Sequence, residues 1–353
     1  MERPVRVRFA PSPTGPLHIG GGRTAFSLPE LAEIAAQNHH IFKELQYLSN
    51  IDYKPIRYIS FAHDEETYKA LEASKAWSKA EMIAPKQFRE EISPYFNANP
   101  KKYISALVSE DCWQATPGKV VDLVRNLGIA AGGTVMEDCR VLEACREGKY
   151  TSVLVQTHDK KYVEYRTEHF VNALGSGAGK LCDSMGIDAG LYPVRHQAFI
   201  TRRLPMLGKH GTNLDMLIDR QDYKGFSAVY GQQIAYTGQI IGCASPKLDA
   251  MRIDKNLKVN TKAFLEIVSE MFSEWIPDLA GVGIQAVWAG YYTEPRYIVD
   301  PELGLFVGMR GHGFMLSQYI ARMYVDKLLG RPVPEYFEKL KLNGPGLSEK
   351  AFK

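Results

Sequence analysis

Gly311 and Gly313 flank His312 just ahead of an apolar stretch with helical spacing. Two glycines at the start of a helix expose several unpaired backbone N–H groups. Their partial positive charge suits a pyrophosphate or the electron-rich edge of a flat heterocycle. A bulky residue there would hold such a ligand away, although an isolated Gly-x-Gly is better explained as a tight strand-to-helix turn. A second cluster, Gly175, Gly177 and Gly179, ends a strand-like run and opens a short helical one, again a place where backbone approaches a ligand closely. On the stretch before the first turn, Tyr292 and Arg296 are candidates to face a substrate carboxylate or amine. The alternatives are a core tyrosine and a surface arginine paired with Glu294 or Asp300. His312 reads as structural. Adjacent His39 and His40 point about 100° apart on a helix and form no metal site, and His158 and His169 read as isolated polar positions in strands.

These residues need elements to hold them. Apolar residues at helical spacing predict helices over Leu28–Leu48, through Leu31, Ile34, Ala35, Ile41, Phe42 and Leu45, and over Thr261–Phe272, through Phe264, Ile267, Val268 and Phe272. A polar helical stretch is expected near Glu65–Ala80. Thr116-Pro117-Gly118 caps a helix over Lys119–Leu127. Val5–Ala10, Gly133–Val141, Thr151–Thr157 and Tyr162–Val171 read as strands, followed by a helix over Lys180–Met185. Tyr192–Arg203 and Met216–Ile240, with a turn at Tyr223-Lys224-Gly225, read as a second sheet. Val287–Val307 is strand-like, and the Gly308–Gly313 turn leads into a helix over Phe314–Leu329 that stops at Gly330.

Four segments, in order along the chain, resemble the D-amino-acid oxidase-like flavoenzymes. Thr134-Val-Met-Glu-Asp-Cys-Arg-Val141 is similar to the strand whose final valine lies against the adenine end of FAD. Val171-Asn-Ala-Leu-Gly-Ser-Gly-Ala-Gly179 is similar to that family's Asn-Ala-x-Gly-x-x-Ala turn. Pro193-Val-Arg-His-Gln197 resembles the strand opening the substrate domain, with His196 in place of a small residue. Trp288–Arg296 followed by Leu305–Leu316 resembles the flavin turn. The resemblance implies FAD held by Gly22, Arg23, Val141, Ala173, Gly175, Gly177, Arg310, Gly311, His312, Gly313, Phe314 and Met315, with Tyr292 and Arg296 as catalytic residues. The family's opening Gly-x-Gly-x-x-Gly turn occurs nowhere in the 353 residues, and the chain joins the family's pattern at about Gly21-Gly22-Arg23.

The opening resembles a different family. Val5–Ala25 is similar to the first strand and HIGH-type motif of glutamyl-tRNA synthetases, which implies His18 and Gly20 against ATP and Arg8 and Ser12 near glutamate. No lysine-bearing loop of the Lys-Met-Ser-Lys-Ser kind follows to stabilise pyrophosphate. Ser74-Lys75 and Ser78-Lys79 fit a solvated helix face better.

The resulting expectation is an α/β protein of two lobes: an incomplete Rossmann-like FAD-binding lobe, and a substrate lobe on a mixed or antiparallel sheet. Residues 1–25 form the synthetase-like opening, 26–190 and 281–353 the FAD lobe, and 191–280 the substrate lobe. Hydrophobic residues at 45% and charged residues at 24% are ordinary for a globular chain. With 43 basic against 40 acidic residues there is no global excess to bind nucleic acid. No stretch of about 18 apolar residues or signal peptide is present. The five cysteines show no zinc spacing and are expected to be reduced and buried in a cytoplasmic protein. The expected activity is oxidation of the C–N bond of a small-molecule amine or amino acid by hydride transfer to FAD. Electron acceptor and oligomeric state are left open. The alternatives are a glutamyl-tRNA synthetase-like ligase, or a non-catalytic remnant or chimaera lacking tight FAD binding.

Overall fold

The computed structural model describes residues 29–49, 51–75, 79–97, 99, 101–221, 226–246 and 261–347. The expected opening over residues 1–25, with Arg8, Ser12, His18, Gly20, Gly22 and Arg23, lies outside these residues, as does the expected turn at 223–225. In chain order the elements begin α1 (Pro29–Leu48), β1 (Lys54–Ala62), α2 (Glu65–Ser74), β2 (Ala80–Ile83), α3 (Phe88–Glu91), β3 (Ser105–Gln114) and α4 (Pro117–Ala130). They continue with β4 (Arg140–Glu147), β5 (Tyr150–Gln156), β6 (Tyr162–Thr167), α5 (Ala178–Ser184), β7 (Tyr192–Arg203), β8 (Met216–Asp219), β9 (Phe226–Gln233) and β10 (Gln239–Pro246). The last are α6 (Thr261–Trp275), β11 (Ile284–Glu294), β12 (Ile298–Asp300), β13 (Leu305–Val307) and α7 (Gly313–Leu328).

The described chain forms two compact units, 29–116 with 195–290, and 117–194 with 291–347. Residues 29–116 group with the large sheet, because β1 pairs in parallel with β8 and antiparallel with β3.

That sheet has eight strands in the order β11-β7-β10-β9-β8-β1-β3-β2. It is mixed: β1–β8 is parallel, whereas β8–β9, β9–β10, β7–β10 and β2–β3 are antiparallel. The face of α6 expected to be apolar is buried, Phe264, Ile267, Val268 and Phe272 among its core residues. Gly231 and Gly242 are paired across β9 and β10. A β-carbon at either would stand 2.6 Å from the ring of Phe272 or Phe199 respectively, so the bare backbone lets both rings lie against the sheet. Each ring removed from water contributes roughly 1.5–3 kcal/mol. α1 buries every apolar position expected of it, and Asn38 as well.

α2 starts at a capping box in which the Asp64 side chain accepts from the Thr67 N–H, which sets its first turn. It ends at Ser74, short of the expected Ala80, which already belongs to β2. Nearby, Asp219 is buried and accepts hydrogen bonds from the Tyr103 hydroxyl at 2.8 Å and the Gln221 N–H at 3.1 Å, with His63 Nε2 at 2.9 Å.

The other unit holds the antiparallel meander β4-β5-β6, the β12–β13 pair, and helices α4, α5 and α7. The strand expected from Gly133 does not form before Arg140; residues 134–138 are exposed and have no strand partner. His158 and His169 lie in turns beyond the strand ends rather than within strands. All five cysteines are free, but only Cys112, Cys182 and Cys243 are buried; Cys139 is half-buried and Cys145 exposed. Among the described residues no helix is long and apolar enough to cross a membrane, and no group of His, Cys, Asp and Glu gathers as a metal site.

Candidate active site

Asn172 organises the first glycine turn. It is fully buried, pairs in parallel with Leu305 of β13, donates its N–H to the Gly304 carbonyl at 2.7 Å and accepts from the Phe306 N–H at 3.0 Å. Its side chain accepts from the Leu174 N–H at 3.3 Å and donates to the Ala178 carbonyl at 3.0 Å, closing the turn onto the start of α5. A buried amide satisfied this way fixes the turn, since an unmade bond would cost about 1–3 kcal/mol. Burial raises the pKa of the neighbouring Cys182 thiol, partly offset by the Asn172 amide. Gly175 has φ +56°, a conformation that favours glycine, and no heavy atom lies within 4 Å of where its β-carbon would stand.

Because Asn172 and Leu305 run in parallel, the segments that follow them leave at the same end of this strand pair. After β13, Gly308 turns with φ +70°, and any β-carbon there would overlap the Arg296 carbonyl oxygen. Arg310 follows with φ +49°. Gly311 lies against Tyr292, with its would-be β-carbon 2.8 Å from the ring. Arg310 Nε donates to Glu294 Oε2 at 2.7 Å, and the Tyr297 hydroxyl meets His312 Nδ1 at 2.7 Å. Three ties, 292 to 311, 294 to 310 and 297 to 312, hold the turn to the end of β11 and the chain beyond it. The N-cap residue His312 makes no side-chain cap, and the N-terminus of α7 carries the positive end of a 16-residue helix.

The unit therefore brings together Tyr292, Arg310, Gly311, His312 and Gly313, with Phe314 and Met315 half-buried in the first turn of α7. Ala173, Gly175 and Gly177 belong to the turn that leaves beside β13. Val141, at the start of β4, packs in the same apolar cluster as Leu174 of that turn.

Arg296 has other partners than expected. Its Nη1 donates to the Gly344 carbonyl at 3.1 Å and its Nη2 to the Leu342 carbonyl, so its guanidinium pins the C-terminal segment. Glu294 is bonded to Arg310, and Asp300 to backbone N–H groups of Glu302 and Leu303. The Arg296 guanidinium thus meets backbone carbonyls in place of either expected ion-pair partner. Sequence reasoning missed Asn172 as the organiser of its turn and Tyr297 as the partner of His312. Asn172 stands within the quoted motif, whereas nothing in the spacing marks Tyr297. His196, on β7 in the other unit, is buried, and burial pushes its pKa down to about 3.

The arrangement is a mixed α/β fold in which two glycine turns leave from the same end of the Asn172–Leu305 parallel bridge. The family model for FAD dependent oxidoreductase matches residues 12–327, and the chain belongs to that family. L-proline dehydrogenase from P. horikoshii is similar over 92% of this chain and 85% of its own, with 23% identity and a TM-score of 0.73. Glycine oxidase from Geobacillus kaustophilus covers 92% of this chain and 86% of its own, at 16% identity and a TM-score of 0.74. L-alpha-glycerophosphate oxidase from Mycoplasma pneumoniae, a structure with FAD bound, covers 84% of this chain and 80% of its own, at 15% identity and a TM-score of 0.64.

The chain also matches glutamate–tRNA ligase 2 from Caldicellulosiruptor saccharolyticus, 36% identical over 110 residues, which is 30% of this chain and 20% of that protein. Short N-terminal matches of 25 residues to other glutamate–tRNA ligases reach 84% identity. The chain thus spans a fifth or less of the length of these curated relatives.

FAD is the cofactor that the family and the neighbours indicate. The residues present fit its ring end: open space stands before Gly175, and the turn Gly308–Gly313 leads into the positive end of α7, whose N-cap residue His312 makes no side-chain cap.

Proposed function

We propose that this FAD-dependent oxidoreductase oxidises the C–N bond of an amino acid or related amine. The observation that carries the reading is the turn Gly308–Gly313, tied at three points to the end of β11 and the chain just beyond it and leading into the N-terminus of α7. FAD, when bound, supplies a hydride acceptor. The N–H groups of Gly311 and Gly313, with Phe314 and Met315 behind them, would hold the pyrimidine edge of the ring, whereas the His312 N–H is donated to the Met309 carbonyl at 3.1 Å and would serve to shape the turn. Ala173, Gly175 and Gly177 would let backbone approach the cofactor closely, and Val141 would bound its adenine end. Gly22 and Arg23 are proposed contacts from the family pattern alone.

Tyr292, packed on Gly311, walls the space where substrate lies and excludes water from the reacting carbon. The substrate amine loses hydride from its carbon and a proton from its nitrogen. Water then adds to the resulting imine to give a carbonyl compound and ammonia or a smaller amine. The names of the neighbours, acting on proline and glycine, support an amino-acid substrate.

One observation favours a second reading, a fold that holds FAD weakly or not at all: the sequence contains no Gly-x-Gly-x-x-Gly turn for the pyrophosphate. Anaerobic mixing of the FAD-loaded protein with a panel of D- and L-amino acids, glycine and proline tests the substrate class. Bleaching of oxidised flavin by at least one of them, with the matching carbonyl or imine product, is expected. Bleaching by none argues against C–N oxidation.

A further inference from the structure

Among the described residues only Asp138, Lys160, His210 and Arg310 adopt positive φ without being glycine, and of these Arg310 alone lies in the glycine turn that opens α7. An L-residue held there is strained and persists only where its surroundings impose it. What imposes it here is visible. The Arg310 Nε meets Glu294 Oε2 at 2.7 Å, and the two side chains are only 23% and 15% exposed. A surface ion pair would not need this backbone geometry, and a glycine at 310 would give the same turn without strain. The arginine therefore places a charge, and Glu294 sets how much of it is felt.

We propose that Arg310, moderated by Glu294, tunes the redox potential of FAD at this turn. The inference rests on the FAD reading above. A hydride delivered to FAD brings two electrons and a proton and so adds one negative charge. Positive charge beside the N-terminus of α7 favours that reduced form, adding to the partial charge of the helix itself. Glu294 opposes the effect at short range, in a setting where charges are screened less than in bulk water. The two residues should consequently act on the potential with opposite sign.

The test uses the full chain loaded with FAD, comparing wild type with Arg310→Gln, Arg310→Lys and Glu294→Gln. FAD affinity is read by flavin fluorescence and the midpoint potential by dye-coupled titration. Arg310→Gln is expected to move the reduced-to-oxidised ratio about tenfold toward oxidised, close to 30 mV for two electrons, and Glu294→Gln about tenfold the other way. Arg310→Lys should stay near wild type. A purely structural role predicts weaker FAD binding in both glutamine variants with no opposed shifts. That result, or shifts of the same sign, would overturn the proposal while leaving the FAD reading intact. A wild-type protein that takes up no FAD overturns both.

Discussion

Tyr292 and Gly311 are in contact so close that a β-carbon at 311 would stand 2.8 Å from the tyrosine ring, inside any real carbon–carbon contact. The glycine is thus fixed by its neighbour's ring as much as by any ligand. Gly311→Ala should displace Tyr292 and destabilise the protein by about 1–3 kcal/mol, the usual effect of overpacking. Tyr292→Ala in the same chain should recover much of that loss, because the two changes share one contact. Denaturant unfolding of the two single variants and the double variant measures the coupling; strict additivity would show that the ring does not press on Gly311.

Arg296→Ala should loosen the C-terminal segment. Losing the bonds to the Leu342 and Gly344 carbonyls should lower stability by about 1.5–3 kcal/mol, as for hydrogen bonds from a charged donor. Hydrogen exchange should rise around residues 341–347, with FAD affinity unchanged. Protection that stays the same there, together with a weakened substrate affinity, would return Arg296 to the substrate site.

How far the sequence foretold this arrangement depended on whether the cause was local. The faces of α1 and α6 were legible because helical spacing of apolar residues reports burial directly. β7 was legible from end to end, and Gly330 marks the stop just beyond α7. β3 was not, because Ser105–Val108 are buried in succession and the alternation that betrays a strand is lost. The opposite error arose at Thr134–Cys139, whose side chains suit a strand but find no partner to pair with. The same division holds at the site. Glycine turns declare themselves because their backbone needs are local, whereas the partners of Arg296 are distant backbone carbonyls that leave no mark in residue type.

His196 gives a pH signature. Its unfolded value is near 6.5 and burial pushes the folded one down to about 3, so the unfolded chain binds the extra proton between these limits. Stability is therefore fully present above about pH 6.5 and falls as pH drops, by about 1.4 kcal/mol per unit across the window. His196→Gln should flatten the acid side of the stability profile by that slope. Parallel wild-type and variant profiles between pH 4 and 6.5 would show that burial does not hold the imidazole neutral in the fold.

The central claim is that this chain holds FAD at the Gly308–Gly313 turn despite having no Gly-x-Gly-x-x-Gly motif. The direct measurement is the visible absorbance spectrum of the purified full chain after incubation with FAD and removal of the unbound cofactor. Flavin bands should elute with the protein and be lost in Gly311→Trp, whose bulk fills the turn. A folded wild-type protein that elutes without flavin bands, or a Gly311→Trp variant that retains them undiminished, would contradict it.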